Sequence, residues 1–247
     1  MLRRASVLAF AGCAAVLSAP TPMHTVSSQA SPTHQARCLL VLLPGFSDAD
    51  TDFDQHGFIA ALHARKLSVD TISANATIGY YAKLTIVGRI EADVLAPMRA
   101  KHYEQTWLMG ISMGGLGTIL VAEQPDQELT GLILMAPYLG DEDVIDEIAK
   151  AGGVASWTPP AVVDPEDYQR EAWRWLKHAT ANPTTSPAIY LASGDQDPLA
   201  PGHRLLATAV PTGHLFRTRG NHDWGPWRVL WAKFLDTSDF RTRCGDH

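Results

Sequence analysis

The sequence predicts an α/β fold, in which a single domain is built on a doubly wound, mostly parallel sheet. From Cys38 onward, short apolar runs alternate with amphipathic stretches, which is typical of strands and helices around such a sheet. Most of the apolar runs are too uniformly apolar to face water, as expected for strands that helices cover on both faces. The length of 247 residues and the hydrophobic content of 46% suffice for the core of one ordinary domain.

The apolar runs predict six strands, which would supply the core of the parallel sheet. They are Leu39 to Leu43, Ser68 to Ser73, Thr106 to Ile111, Thr130 to Met135, Ala188 to Ala192 and His214 to Thr218.

Apolar stripes at helical spacing predict helices that pack on this sheet. One stripe consists of Leu84, Val87, Ile90, Val94 and Met98, and the other of Trp224, Trp227, Trp231 and Phe234. Residues 141–187 interrupt the alternation with paired glycines, paired prolines and three tryptophans. We expect this segment to form a small helical cap, inserted in the domain.

The N-terminal residues predict a secretory signal peptide over residues 1–30. Two arginines precede an apolar run from Ala5 to Ala19, which is too short to span a membrane and which prolines then end. The small residues of Ser28-Gln29-Ala30 offer a cleavage site, so residues 31–247 would form the mature domain. We therefore expect an exported protein, periplasmic or secreted, without an integral membrane span.

The three cysteines leave two questions open. Ala11-Gly12-Cys13 loosely resembles a bacterial lipoprotein motif, so a lipid anchor at Cys13 is a minor alternative to simple cleavage. Cys38 and Cys244 would remain after export, where disulfides form readily. They are expected either as a disulfide or as a buried strand thiol and a tail thiol.

Ser112 has the sequence context of a nucleophile. The apolar strand that ends near Ile111 runs directly into the turn Gly110-x-Ser112-x-Gly114 and then into a glycine-rich helix start. So tight a reversal would strain the serine backbone and lift its hydroxyl clear of the sheet edge. It also requires small residues two positions away on either side.

A serine hydroxyl is a poor nucleophile at neutral pH, so Ser112 needs an imidazole base that a carboxylate holds in the right tautomer. His222 follows the last predicted strand, just before the C-terminal helix, and is the predicted general base. Asp195 and Asp197 lie in a turn-rich loop after the preceding strand, and either could supply the carboxylate. Asp223 is expected to cap the C-terminal helix.

Two backbone N–H groups are expected to bind the oxyanion that forms during acyl transfer. One belongs to Met113, directly after the nucleophile. The other lies in the loop after the first predicted strand, where Gly45 allows the chain to turn and the Phe46 amide can point inward. Ser47 is the alternative to Phe46.

Aromatic and apolar residues near the carboxyl ends of the strands are candidates for substrate binding. Their apolar bodies and polar tips would suit an acyl chain or an aromatic ester of modest size, although each could instead pack in the core. They are Tyr80, Tyr81, Tyr138, Leu139 and Trp157.

Other ligands are not predicted. Alternating aspartates from Asp48 to Asp54 resemble a calcium loop, but Phe53 occupies the place of the required glycine and no glutamate closes the loop. Helix capping or an acidic rim explains them better, so no metal site is predicted. The chain has no phosphate-binding glycine loop, and no cofactor is expected. A net charge of −6 without a basic, aromatic-rich stretch argues against nucleic acid.

Gly-Ile-Ser-Met-Gly-Gly at 110–115 and Gly-Asn-His-Asp-Trp-Gly-Pro-Trp at 220–227 resemble the nucleophile and histidine loops of the α/β-hydrolase superfamily, in its esterase-like and mycolyltransferase-like branches. The resemblance covers residues 39–234 and selects Asp197 as the triad acid, because it matches the Gly-x-x-Asp turn of such hydrolases. Two features depart from it: no antiparallel hairpin precedes the first strand, which implies a trimmed sheet, and the oxyanion loop lacks the His-Gly-Gly-Gly signature of one esterase group.

This resemblance implies a serine hydrolase that cleaves carboxylic esters through an acyl-serine intermediate, and the predicted leader implies that it is exported. A lipase, a thioesterase or an acyltransferase would use the same three residues on another acyl donor or acceptor. A binding module that retains the fold without catalysis is the alternative from a different class.

Overall fold

The computed structural model of the protein describes residues 18–125 and 127–245. Its strands are β1 (Thr25–Ser28), β2 (Cys38–Leu43), β3 (Val69–Ala74), β4 (Gln105–Ile111), β5 (Gly131–Met135), β6 (Ala188–Gly194) and β7 (Leu215–Thr218). Its α-helices are α1 (Asp52–Gln55), α2 (Phe58–Ala64), α3 (Ile78–Ala82), α4 (Ile86–Ile90), α5 (Ala96–Arg99), α6 (Met113–Ala122), α7 (Glu142–Lys150), α8 (Tyr168–Ala181), α9 (Ala200–Ala207), α10 (Trp224–Thr237) and α11 (Phe240–Cys244).

The described strands form one sheet in the order β1-β3-β2-β4-β5-β6-β7. All neighbouring pairs are parallel except β1 and β3. Each of the six predicted strands is present, with bounds that differ from the prediction by no more than two residues. Every residue of β2, β3 and β5 is buried, which explains why β2 and β5 are continuous apolar runs, while β3 also buries Asp70, Thr71 and Ser73. The predicted doubly wound α/β fold is confirmed.

The edge strand β1 lies within residues 1–30, which the sequence predicts to be a signal peptide. It pairs antiparallel with β3, from Thr25 opposite Ala74 to Ser28 opposite Thr71. Just before it, the Met23 side chain is buried and its N–H donates to Asp93 Oδ2 at 2.8 Å. The strand escaped prediction because its short polar sequence is half exposed and carries no apolar run.

Helices cover both faces of the sheet, as the two apolar stripes predict. Trp227, Trp231 and Phe234 of α10 are buried in the core on one face. On the other face, α4, a π-helical turn (Glu91–Leu95) and α5 form one continuous helical segment. The π turn precedes Pro97, which has no N–H for an α-helical bond.

The first stripe contains one wrong assignment. Leu84 lies outside the helices, in a turn with φ of +57°, and its side chain is 49% exposed. It therefore contributes nothing to the apolar helix face that the spacing predicted.

The segment 141–187 contains α7 and α8, as expected of a helical insertion. α8 packs against α6 and α7 packs against α9, so both helices belong to the domain core. The Trp173 indole N–H of α8 donates to the Leu139 carbonyl at 2.6 Å, which ties the insertion to the end of β5.

A disulfide joins Cys38 of β2 to Cys244 of α11 across 206 residues of sequence, so of the two open alternatives the structure has the bridge. The Ser68 N–H donates to the Cys244 carbonyl at 2.7 Å, which docks the C-terminal segment beside β3. In the described ranges, no helix is long and apolar enough to cross a membrane. Cys13 and the apolar leader run up to residue 17 lie outside the described residues.

Candidate active site

Ser112 occupies a strained turn between β4 and α6. Its backbone has φ of 53° and ψ of −117°, a region that residues with a Cβ rarely adopt. The Ser112 N–H donates to the Met135 carbonyl at 3.0 Å, and the Ser112 carbonyl accepts from the Tyr138 N–H at 2.8 Å. These bonds to the chain after β5 hold the strained turn in place.

The glycines two positions before and after Ser112 are required by close backbone approaches. A Cβ on Gly110 would lie 2.0 Å from the Gly114 carbonyl oxygen. A Cβ on Gly114 would lie 2.1 Å from the Leu43 carbonyl oxygen, at the end of β2. The predicted need for small residues at both positions is confirmed.

His222 and Asp197 form a hydrogen-bonded pair at the carboxyl ends of β7 and β6. His222 Nδ1 lies 2.7 Å from Asp197 Oδ2, and the Leu199 N–H donates to Asp197 Oδ1 at 2.8 Å. The other candidate acid, Asp195, is exposed and instead accepts a hydrogen bond from the Gly220 N–H at 3.0 Å. Of the two aspartates, Asp197 is thus the one that contacts the imidazole.

The surroundings of Asp197 keep it ionised. Its burial alone would raise its pKa, but hydrogen bonds from His222 and from the Leu199 N–H bring the pKa below the usual value. An ionised carboxylate only accepts hydrogen bonds, so the proton lies on His222 Nδ1 and the lone pair on Nε2. That tautomer is the one a general base requires.

Ser112 Oγ and His222 make no hydrogen bond in the described part of the chain. Such a bond often tightens only when substrate is bound. The loops that contain Ser112 and His222 nevertheless lie at the same end of the sheet, because the carboxyl ends of all the parallel strands meet there. The His222 ring lies edge-on to Trp227, with centroids 5.0 Å apart, and its side chain remains 22% exposed. Asp223 caps α10 by accepting from the Gly225 N–H, as predicted.

The predicted oxyanion donors lie on either side of Ser112. Met113 is the first residue of α6, where the helix dipole favours negative charge. A Cβ on Gly45 would lie 3.5 Å from Ser112 Cβ, so the Gly45–Phe46 turn borders Ser112. Among the described residues, the Met113 and Phe46 N–H groups have no hydrogen-bond acceptor. The Phe46 side chain is 56% exposed beside them.

The predicted substrate residues separate into two groups. Tyr80, Tyr81 and Trp157 are buried in the core, with exposed fractions of 1%, 4% and 2%, so packing describes their place in the structure. Tyr138 is half-buried, and its hydroxyl donates to Asp141 Oδ1 at 2.6 Å. Tyr138 and Leu139 border an open cavity.

This cavity, of about 420 Å³, lies between the segment that follows β5 and the segment that follows Asp197. One wall is the chain that follows β5, which bonds to the Ser112 carbonyl through the Tyr138 N–H. The opposite wall follows Asp197. Its lining combines the apolar residues Leu139, Ile145, Pro198, Leu199 and Pro201 with the acidic residues Asp141, Glu142 and Asp146. A ligand moiety of modest size fits there.

The alternating aspartates bind separate partners rather than converging on one point. Asp50 Oδ2 pairs with His24 Nδ1 at 2.5 Å, and Asp52 Oδ2 accepts from the Ala49 N–H at 2.7 Å. Asp48 Oδ1 accepts from the Trp224 indole N–H at 3.3 Å. Within the described ranges, no group of three or more ligating side chains is placed to hold a metal ion. No sequence pattern pointed to the bond between Asp48 and Trp224, because it joins residues 176 positions apart.

No protein-family model matches the sequence, and no curated protein matches it either. Solved structures match its fold. S-formylglutathione hydrolase from Staphylococcus aureus superposes with a TM-score of 0.58 and 17% identity, over 88% of this chain and 97% of that one. The fluorophosphonate-binding serine hydrolase F of Staphylococcus aureus gives 0.58 and 16%, over 91% and 100%. Monoacylglycerol lipase from Paleococcus ferrophilus gives 0.56 and 16%, over 87% and 99%. The chain therefore has the α/β-hydrolase fold.

Proposed function

We propose that this protein is an exported serine hydrolase that cleaves carboxylic esters through an acyl-serine intermediate. The observation that carries the proposal is the strained turn at Ser112, because such backbone strain costs free energy and clusters at active sites. The hydrogen-bonded pair of His222 and Asp197 on adjacent loops supports it. The similar structures add support, since their names include hydrolases and a lipase.

In the proposed mechanism, His222 Nε2 removes the proton of Ser112 Oγ as the oxygen attacks the ester carbonyl carbon. Asp197 stabilises the imidazolium that forms and keeps its orientation. The imidazolium then gives its proton to the departing alkoxide, which leaves as the alcohol. Water, deprotonated by the same imidazole, attacks the acyl-serine. The bond between the acyl carbon and Ser112 Oγ breaks and the imidazolium returns its proton to Oγ, which releases the carboxylic acid and free Ser112.

The backbone N–H groups of Met113 and Phe46 are proposed to bind the oxyanion of both tetrahedral intermediates. Because these donors are fixed before substrate arrives, they stabilise the developing charge without reorganisation. Loss of one such donor costs about 10²–10³ in kcat in enzymes of this chemistry.

The cavity between the Tyr138 and Leu199 segments is proposed to hold the acyl or alcohol part of the ester. The apolar part of its lining would suit a short aliphatic or single-ring group, and its volume of about 420 Å³ sets an upper size. Tyr138, which is half-buried there, is proposed to contact the substrate. A chain-length series of esters, with and without a competing alcohol, separates an esterase from a lipase or an acyltransferase.

The test is hydrolysis of short p-nitrophenyl esters by the wild type and by Ser112→Ala. We expect the variant to lose nearly all turnover, because no other group of the site can form the acyl intermediate. Ser156→Ala, which changes an exposed serine in the insertion, is the matched control and should retain full activity. Turnover that survives in Ser112→Ala at the wild-type rate contradicts the proposal.

Export is proposed on the leader sequence and is supported by the disulfide, which forms in oxidising compartments. We further propose that cleavage occurs before Ser18 rather than after Ala30. The Ser18 carbonyl accepts from the Thr77 hydroxyl at 2.7 Å and the Pro20 carbonyl from the Tyr80 hydroxyl at 2.6 Å, so the segment that contains β1 packs on the domain. Lipidation at Cys13 is compatible with this boundary, and the intact mass of the exported protein distinguishes the two routes.

A further inference from the structure

The two loops that would act on the substrate carbonyl come from strands that do not touch. The oxyanion loop (residues 44–48) follows β2, and the histidine loop (residues 219–224) follows β7. In the sheet order, β4, β5 and β6 lie between these strands, so no strand pairing fixes one loop relative to the other. Catalysis nevertheless requires the oxyanion donor and the base to be held in register across the substrate.

Asp48 lies at the point where the oxyanion loop approaches Ser112. Its N–H donates to the Gly45 carbonyl at 3.2 Å and closes the turn that contains Phe46. A Cβ on Gly45 would lie 2.5 Å from Asp48 Oδ2 and 3.5 Å from Ser112 Cβ. The Asp48 carboxyl group and the nucleophile therefore flank the same face of Gly45.

The other carboxyl oxygen of Asp48 reaches the histidine loop. Oδ1 accepts from the indole N–H of Trp224, two residues after His222, at 3.3 Å. The Trp224 ring is itself held firmly: it stacks on His56 with centroids 4.2 Å apart and meets Phe58 edge-on at 5.4 Å. Asp48 thus links the oxyanion loop to an aromatic cluster at the start of α10.

We propose that Asp48 is a positioning residue, which holds the oxyanion loop against the histidine loop through its hydrogen bond to Trp224. The inference rests on the proposed ester hydrolysis at Ser112, because its effect is read in that reaction. What the role needs is an acceptor oxygen at this position and not a negative charge. A full negative charge beside the oxyanion would oppose the developing charge of the transition state.

The surroundings of Asp48 agree with this requirement. Burial raises the pKa of its carboxyl group, the hydrogen bond from Trp224 lowers it again in part, and the nearby Asp52 adds a further upward shift. His56 is the cationic side chain that faces it when protonated. An asparagine, which keeps the acceptor and lacks the charge, should therefore replace Asp48 without loss.

The test compares Asp48→Ala with Asp48→Asn in steady-state ester hydrolysis. Asp48→Ala should lower kcat roughly tenfold with KM nearly unchanged, less than the loss of a complete oxyanion donor. Asp48→Asn should match or exceed the wild-type kcat. Trp224→Phe should lower kcat as Asp48→Ala does, and the double variant should fall no further, because both changes remove one interaction. Asp54→Ala changes an exposed carboxylate of α1 and is the matched control.

Three results would overturn the inference. The first is an equal loss of kcat in Asp48→Asn and Asp48→Ala, and the second is an undiminished kcat in Asp48→Ala. The third is a double variant in which the two single losses of kcat multiply. The Trp224 indole N–H resonance, assigned by its absence in Trp224→Phe, gives a readout that does not depend on turnover. It should shift in Asp48→Ala and keep its wild-type position in Asp48→Asn. If the wild type hydrolyses no ester but the resonance behaves as described, the proposed function is contradicted. The role of Asp48 in catalysis is then contradicted too, while the hydrogen bond from Trp224 to Asp48 is established.

Discussion

Met23 allows a direct test of whether the N-terminal segment belongs to the mature protein. Its side chain is 4% exposed and lies in the same buried cluster as Ala74 and Tyr80. Truncation of a buried methionine to alanine costs about 2–5 kcal/mol, because it removes transfer free energy and leaves a cavity. We expect Met23→Ala to lower the free energy of unfolding of the exported protein by about 3 kcal/mol on this basis.

The assay is denaturant unfolding of the protein purified after export, with its intact mass recorded on the same sample. A loss of about 3 kcal/mol corresponds to a drop in Tm of roughly 6–12 °C for a domain of this size. Ser27→Ala changes an exposed residue of β1 and should stay within about 0.5 kcal/mol of the wild type.

Two results would contradict the expected effect of Met23→Ala, each for a different reason. An exported protein whose mass begins at Ser31 has lost β1, and Met23→Ala then has no effect, so the cleavage boundary before Ser18 is wrong. A protein that retains the segment but keeps its unfolding midpoint in Met23→Ala shows instead that the segment does not pack as described.

Three further changes test the site and its support. Gly114→Ala should abolish activity and reduce stability, because the new Cβ would lie 2.1 Å from the Leu43 carbonyl oxygen; a fully active, equally stable variant contradicts the tight turn. Asp197→Asn should lower kcat by about 10⁴ without unfolding the protein, as measured with the same esters, since the imidazole loses its orienting carboxylate. Burial and a hydrogen bond with Glu171 raise the pKa of Glu123 to about 8, so its favourable contribution is complete below about pH 4.5 and is lost as the pH rises through 8. Glu123→Gln should therefore lose less stability than the wild type between pH 5 and pH 8.5 in urea unfolding; an identical pH dependence would rule this out.

The strands and the nucleophile turn were predictable because their physical signals are local. Strands such as β2 and β5, buried on both faces, must be apolar throughout, and a turn as tight as that of Ser112 admits glycine alone on either side. The ends of two other strands pointed to the loops that contain Asp195, Asp197 and His222. Sequence order left the two aspartates open, and the hydrogen bond between Asp197 and His222 shows which of them contacts the imidazole.

The features that escaped prediction depend on long-range packing. β1 is a short, half-exposed polar strand, and its neighbouring Pro20 and Pro22 read as the end of a leader. Tyr81 and Trp157 are large aromatic residues of the kind that often bind ligands. Only the packing of distant helices shows that they are buried. The hydrogen bond between Asp48 and Trp224 joins residues that are far apart in the sequence, so no periodic sequence pattern predicts it.

The proposal that Ser112 is an activated nucleophile can be tested by labelling the protein with a fluorophosphonate probe and mapping the labelled peptide. A serine hydroxyl reacts with such a probe only when a neighbouring base activates it. We predict a single adduct on Ser112 in the wild type, and no adduct in His222→Ala. A correctly folded wild type that takes up no probe, or that is labelled on a residue other than Ser112, contradicts the account.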